Sequence, residues 1–240
     1  MTNVLRAELL KLRTTRTALG FAAAGVLLVL LVVLVSILAG DPSTSDDKRA
    51  AISIGSALSV VLLLFGVVGA TAEYRHRTVA PAALIEPVRM RLTVGRMLAY
   101  GLAGLAVGAL MLVVALAIGI PLLAGTQGPS LDAGDYAQAA GGSLLACGFG
   151  AMLGIGLGVL IRNQVAAIVG TLVFLFVAEP LIGVASSAVR PYLIGNALGA
   201  VGDGNGRDQL TFAAAVAVTV AWTALALAAA LIVDRRRDIT

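Results

Sequence analysis

Runs of about twenty predominantly apolar residues recur six times in this chain, and that recurrence constrains the fold more than any other feature. An α-helix rises about 1.5 Å per residue, so such a run crosses the roughly 30 Å hydrocarbon core of a bilayer. Backbone polar groups inside that core must be satisfied by the chain itself, which leaves helices or a closed barrel. A barrel needs alternating segments of roughly ten residues, and the sequence has none. The chain is therefore expected to be an all-α, polytopic membrane protein: one domain, residues 1–240, with six transmembrane helices and an N-terminal interfacial helix. The expected spans are about 18–39, 51–72, 95–123, 139–161, 165–185 and 211–233. Composition agrees: 12% of residues are charged, where a soluble domain would be near one-quarter charged. The first run is too long for the usual signal-peptide core, and Gly40-Asp41-Pro42 offers no small-residue cleavage site, so it reads as a retained span.

Orientation follows from the charged island Glu73–Arg96 between the second and third runs. It holds five of the chain's 17 Lys/Arg residues: Arg75, Arg77, Arg89, Arg91 and Arg96. Short Arg-rich loops stay in the cytoplasm, so a cytoplasmic segment is expected over 73–94. Pro81 and Pro87 divide it into two short helices with a break. With six spans both termini share the cytoplasmic side of the plasma membrane. Thirteen of the 17 basic residues then fall inside, as the positive-inside rule requires. The pI near 9.7 accordingly points to lipid headgroups and not to nucleic acid.

Residues 3–17 mix Arg6, Glu8, Lys11, Arg13 and Arg16 with Val4, Leu5, Leu9, Leu10 and Leu12. This pattern suits a helix lying on headgroups, or a plain basic flank that orients the first span. In the second run, Ser53, Ser56 and Ser59 share one face; such serines line a path or bond to their own helix backbone, and the latter is the favoured reading. Gly142, Ala146, Gly150, Gly154 and Gly158 recur every four residues in the fourth run. Such a stripe lets another helix's backbone approach closely. Residues 125–138 and 186–210 read as outer loops, and Arg162-Asn163-Gln164 as a tight inner turn. The Arg235–Arg237 cluster reads as an anchor on anionic lipid.

Catalytic constellations are missing from the sequence. There is one His, His76, and one Cys, Cys147, so neither a disulfide nor a Cys-based metal site is expected. No Gly-x4-Gly-Lys-Ser/Thr loop or Gly-x-Ser-x-Gly elbow occurs. The chain is not expected to be an enzyme, and any ATP would be handled by another polypeptide. Glu179, followed by Pro180, is the one ionisable residue well inside a run. It reads as a possible outer gate or proton-linked site, or as an acid near the surface paired with a group such as Arg190. The second of these is favoured.

Two motifs carry a family resemblance. Glu8-Leu9-Leu10-Lys11-Leu12-Arg13-Thr14-Thr15-Arg16 is similar to the Glu-x-x-Lys-Leu-Arg-x-x-Arg opening of permease subunits of the ABC type-2 (ABC-2) transporter family. Glu73-Tyr74-Arg75-His76-Arg77-Thr78 resembles that family's Glu-Phe/Tyr-Arg-x-Gly-Thr segment, with Arg77 where the family has Gly. Glu179-Pro180-Leu181 and Pro191-Tyr192-Leu193 also look family-like, and the six-span layout matches over nearly the whole chain. The resemblance implies an ABC-2-like fold and an exporter permease that forms the translocation path. A separate ATPase subunit would carry ATP and Mg, and a second permease copy or paralogue would complete a dimer. It also implies that residues 5–16 and the segment after the second span contact the ATPase, with Glu8, Lys11, Arg13, Glu73, Tyr74, Arg75, His76, Arg77 and Thr78 as coupling residues. An ion-coupled secondary transporter using Glu179 and a non-transporting scaffold or immunity subunit are the alternatives.

Overall fold

A computed structural model describes residues 2–40, 42–75, 89–204 and 210–236. Among them the fold is helical throughout, without a β-strand. Helix α1 (Thr2–Thr14) is followed by α2 (Arg16–Leu38), α3 (Ser45–Ile52), α4 (Gly55–Arg75) and α5 (Arg89–Leu123). Then come α6 (Ala133–Ile161), α7 (Gln164–Val173), α8 (Glu179–Ala185), α9 (Ile194–Gly202) and α10 (Phe212–Arg236). Six of the resulting rods are long and apolar enough to cross a membrane: Thr17–Leu38, Ser45–Arg75, Met90–Leu123, Ala133–Ile161, Gln164–Ala185 and Phe212–Val233. This is a multi-pass membrane protein.

Helices α4 and α6 form the centre. Of their apolar windows 72% and 61% are buried, against 28% or less for the other four rods. The period-four stripe explains why they meet. A Cβ at Gly150 would lie 2.6 Å from the Ser59 carbonyl oxygen, one at Gly154 would strike the Leu63 carbonyl, and one at Gly158 would lie 2.7 Å from Ala70 Cβ. Any side chain there would push the backbones apart. Gly142 and Ala146 turn instead toward α9: Gly142 abuts Val201 and Gly204, and Ala146 clusters with Ala200 and Val201. A second stripe seats α5 on α6, with Gly104 against the Cys147 carbonyl and Gly108 against Cys147 Cβ. Phe21, Phe65 and Tyr100 stack in file across α2, α4 and α5, with ring centroids 5.4 and 5.0 Å apart.

Several boundaries differ from the sequence expectation, each for a local reason. Helix α6 begins at Ala133, inside the expected loop 125–138, because Asp132 and Asp135 form a reciprocal capping box. Their bonds are 2.8 Å (Asp135 N–H to Asp132 Oδ1) and 3.1 Å (Asp132 N–H to Asp135 Oδ2). Thr44 and Asp47 start α3 in the same way. The second rod is broken at Ser53–Ile54, where Gly55 N–H donates to Ser143 Oγ of α6 at 3.1 Å. The three serines therefore do not share one uninterrupted helix; Ser59 Oγ donates to the Ser56 carbonyl at 2.9 Å, a bond to its own backbone. Helices α4 and α5 extend the second and third spans into both ends of segment 73–94. Its middle, 76–88, lies outside the described residues, as do 205–209 and Arg237.

The stretch 186–210, expected as an outer loop, carries a helix that folds back along the bundle. Trp222 Nε1 donates to the Tyr192 carbonyl at 2.8 Å. Trp222 stands ten residues beyond Phe212, about 15 Å along α10 at 1.5 Å per residue. From that depth α9 climbs back until Gly202 packs on Gly55 and Ser56. It is wedged between α4, α6 and α10, and Ala197–Gly202 are buried. Irregular backbone at such a depth must be enclosed or line a cavity; here the Tyr192 and Leu193 N–H groups bond to Val189 and Arg190 carbonyls.

Candidate functional site

At one end of the bundle the two sequence motifs meet. Helix α1 turns Val4, Leu5, Glu8, Leu9 and Leu12 inward and leaves Arg6, Leu10 and Arg13 exposed. It can settle on α5 because residue 95 is Gly; a Cβ there would lie 2.8 Å from Val4 Cγ1. Seating α1 brings Glu8, in the middle of its inward face, beside Arg96 of α5 and Glu73 of α4.

Four charges close into a ring. Lys11 Nζ lies 3.6 Å from Glu8 Oε2 and is hydrogen-bonded to Glu73 Oε1. Arg96 Nε lies 3.4 Å from Glu8 Oε1, and its NH2 group pairs with Glu73 Oε2. The ring is neutral and joins three helices. Glu8, Glu73 and Arg96 are 7%, 4% and 3% exposed; Lys11 is the corner that reaches solvent. Removing one member of such a buried set leaves an uncompensated charge, worth about 3–5 kcal/mol.

The other residues singled out from the sequence distribute around this ring. Tyr74 lies under the Arg162 guanidinium, 5.3 Å from ring centroid to Cζ. Arg75 is exposed and donates from NH1 to Gln164 Oε1 at 3.1 Å. These contacts tie α4 to the α6–α7 turn, where Arg162 adopts a left-handed φ of 59° and Asn163 Oδ1 accepts from Ala166 N–H at 3.0 Å. Arg13 points away from the ring. His76, Arg77 and Thr78 lie outside the described residues. Arg96 is the member that motif reasoning missed. Its signal was positional: a cation at the start of a long apolar run needs a partner.

Glu179 occupies a second polar site. Chain geometry prepares it: Pro180 has no N–H to give, and residues Phe174–Ala178 widen into one π-turn that sends Glu179 N–H to the Phe174 carbonyl. The buried carboxylate accepts from Gly195 N–H at 2.9 and 3.0 Å, and the Ile194 and Asn196 N–H groups also face it. Helix α9 has no side-chain cap of its own from Leu193, so Glu179, from another part of the chain, caps its N-terminus. Arg190, the partner expected from the sequence, lines the same cleft, with its Cγ and Cδ 3.2 Å from where a Gly183 Cβ would stand. The cleft holds about 540 Å³ between the start of α4, the π-turn, α8 and α9.

Compared with known proteins, the chain matches no family model and no curated protein.

Proposed function

We propose that this chain is the membrane-spanning permease subunit of an ABC-2-type exporter, non-catalytic in itself, working with a separate ATPase subunit that carries ATP and Mg. The observation that carries the reading is the ring Glu8–Lys11–Glu73–Arg96. It ties the N-terminal motif to the one after the second span, so a push on either is felt by the rods of α4 and α5. Transport would follow as rigid-body rocking of those rods. In this reading the ring end faces the cytoplasm, both termini lie there, and segment 73–94 takes up the partner's motion. Two permease copies or paralogues pair, and the cargo is hydrophobic or amphipathic, entering from lipid.

Arg75→Glu with Arg77→Glu tests the coupling assignment directly. The double variant is expected to insert normally and to lose copurification with, and stimulation of, the cognate ATPase. Unchanged recruitment would remove segment 73–94 from the coupling role. Reconstituted vesicles separate the secondary-transport alternative: flux driven by a pH gradient without ATP, abolished by Glu179→Gln, would replace the exporter reading.

A further inference from the structure

We infer that the cleft between the π-turn, α8 and α9 holds an uncharged amphiphile taken from the bilayer, whose head both donates and accepts hydrogen bonds, as a primary carboxamide does, and sits on the side-chain amide of Asn196. This gives the head group that the exporter reading leaves open. It does not rest on that reading, because binding is measured on the chain alone, without an ATPase.

The charge of the ligand is decided first. Glu179 and Arg190 both line the cleft, and both are already engaged. Gly195 N–H reaches the two carboxylate oxygens of Glu179 at 2.9 and 3.0 Å, and the Ile194 and Asn196 amides donate to the same group. Arg190 already has a partner. Glu179 lies about 7 Å from the middle of the rod Gln164–Ala185, at 1.5 Å per residue. The hydrocarbon core extends about 15 Å from its own middle, so the cleft opens inside it. An ion brought there would give up its water and find no counter-ion, which is costly. The ligand is therefore uncharged.

Asn196 decides the head group. It lines the cleft, is half-buried, and its side-chain amide makes no hydrogen bond among the described residues. A carboxamide carries two N–H donors and a carbonyl acceptor, and such groups are costly to leave unmade in hydrocarbon. A ligand that only accepts would serve the N–H and leave the carbonyl. One that donates and accepts can serve both at once.

The walls decide the rest of the molecule. Val60, Leu175, Phe176 and Val184 line the cleft, which holds about 540 Å³. That lies within the roughly 300–1,000 Å³ usual for small-ligand sites, and apolar walls with a few polar groups are the usual lining. Phe176 and Val184 are 64% and 88% exposed. Exposure on a spanning rod means exposure to lipid, so the mouth opens sideways and an apolar tail can run out into the bilayer.

Native mass spectrometry of the purified full chain provides the test. The protein is presented with equal amounts of oleamide, methyl oleate, oleylamine and oleyl phosphate, which share one hydrocarbon chain and differ at the head. Wild type is expected to retain oleamide about fivefold or more over methyl oleate, the scale of one net hydrogen bond, and to retain the two charged probes least. Asn196→Leu should bring oleamide down to the level of methyl oleate. Val184→Trp changes a side chain at the mouth that is 88% exposed and leaves the core untouched. It should lower retention of both uncharged probes about fivefold even if Asn196→Leu folds poorly. Equal retention of oleamide and methyl oleate by wild type overturns the inference, as does a preference for either charged probe. An oleamide preference that survives Asn196→Leu overturns it too, as does retention unchanged by Val184→Trp.

Discussion

Glu73 and Glu179 are both buried carboxylates on membrane-spanning rods, 4% and 3% exposed, and the fold accommodates them in opposite ways. Glu73 is balanced by cations from two other helices, Lys11 of α1 and Arg96 of α5. Glu179 is solvated by backbone amides at the start of α9. The ion ring depends on three separately placed elements, and each of its charges needs the others. The amide site depends only on the path of the chain, and any acceptor of similar shape would serve. A ring of this kind joins elements and reports on their relative position; an amide cradle fixes a loop. The first therefore holds α1 against α4 and α5, and the second holds the start of α9 against the rod that carries Glu179.

Arg96→Met breaks the comparison hardest. It leaves Glu8 and Glu73 facing each other with only the solvent-edge Lys11 between them. A loss of about 3–5 kcal/mol in unfolding free energy is expected, measured by denaturant titration in detergent micelles. Glu73→Gln should fall in the same range, and the two together should lose less than the sum, since contacting members of one network do not add. Additive losses would mean that the four charges do not act as one unit.

Glu179→Leu should have a smaller effect. It strands the Gly195 N–H without its acceptor, worth about 1–3 kcal/mol in the same titration. Glu179→Gln retains a carbonyl oxygen and should recover most of that loss. The pair thus separates the two sites: amide substitution is damaging where a charge is balanced by charges and mild where it is balanced by dipoles. If Glu179→Gln were as disruptive as Glu179→Leu, the carboxylate's charge and not its acceptor geometry would hold α9.

What could be read from the sequence divides along the same line. The six rods were legible because each is a contiguous apolar run, and the α6 stripe because Gly142, Gly150, Gly154 and Gly158 keep one period. Its counterpart on α5 was not, since Gly101, Gly104 and Gly108 are spaced three and then four apart. Glu8, Lys11 and Glu73 stood out as motif residues, yet their common purpose depends on Arg96, 88 positions from Glu8. Helix α9 was hidden for a different reason. Ile194–Gly202 is short and lacks a polar face, and its position is decided by the contact of Gly202 with Gly55 and of Val201 with Gly142. Such close approaches are non-local and leave no periodic trace. The break at Ser53–Ile54 has the same origin, in the hydroxyl of Ser143.

The smallest expected effect sharpens the comparison from the other side. Arg49 forms an ion cluster at the end of the bundle away from the ring, 2.6 Å from Asp46 Oδ1 and 3.5 Å from Asp135 Oδ1, with Gln138 Oε1 at 3.3 Å. Like the ring it joins separate helices, α3 and α6, but the Asp46 side chain is 80% exposed. Arg49 and Asp135 are 14% and 24% exposed, so water reaches the cluster mainly at Asp46, and salt screens that edge. Arg49→Gln is expected to lose about 0–1 kcal/mol, a loss that shrinks further when unfolding is repeated in about 1 M salt, where the screening length is about 3 Å. Arg96→Met should be less sensitive to salt, because Glu8, Glu73 and Arg96 are buried and only Lys11 reaches solvent. Equal salt sensitivity of the two variants would show that ions act on the buried charges through the Lys11 corner, and the distinction between the ring and the cluster with an exposed edge would fail.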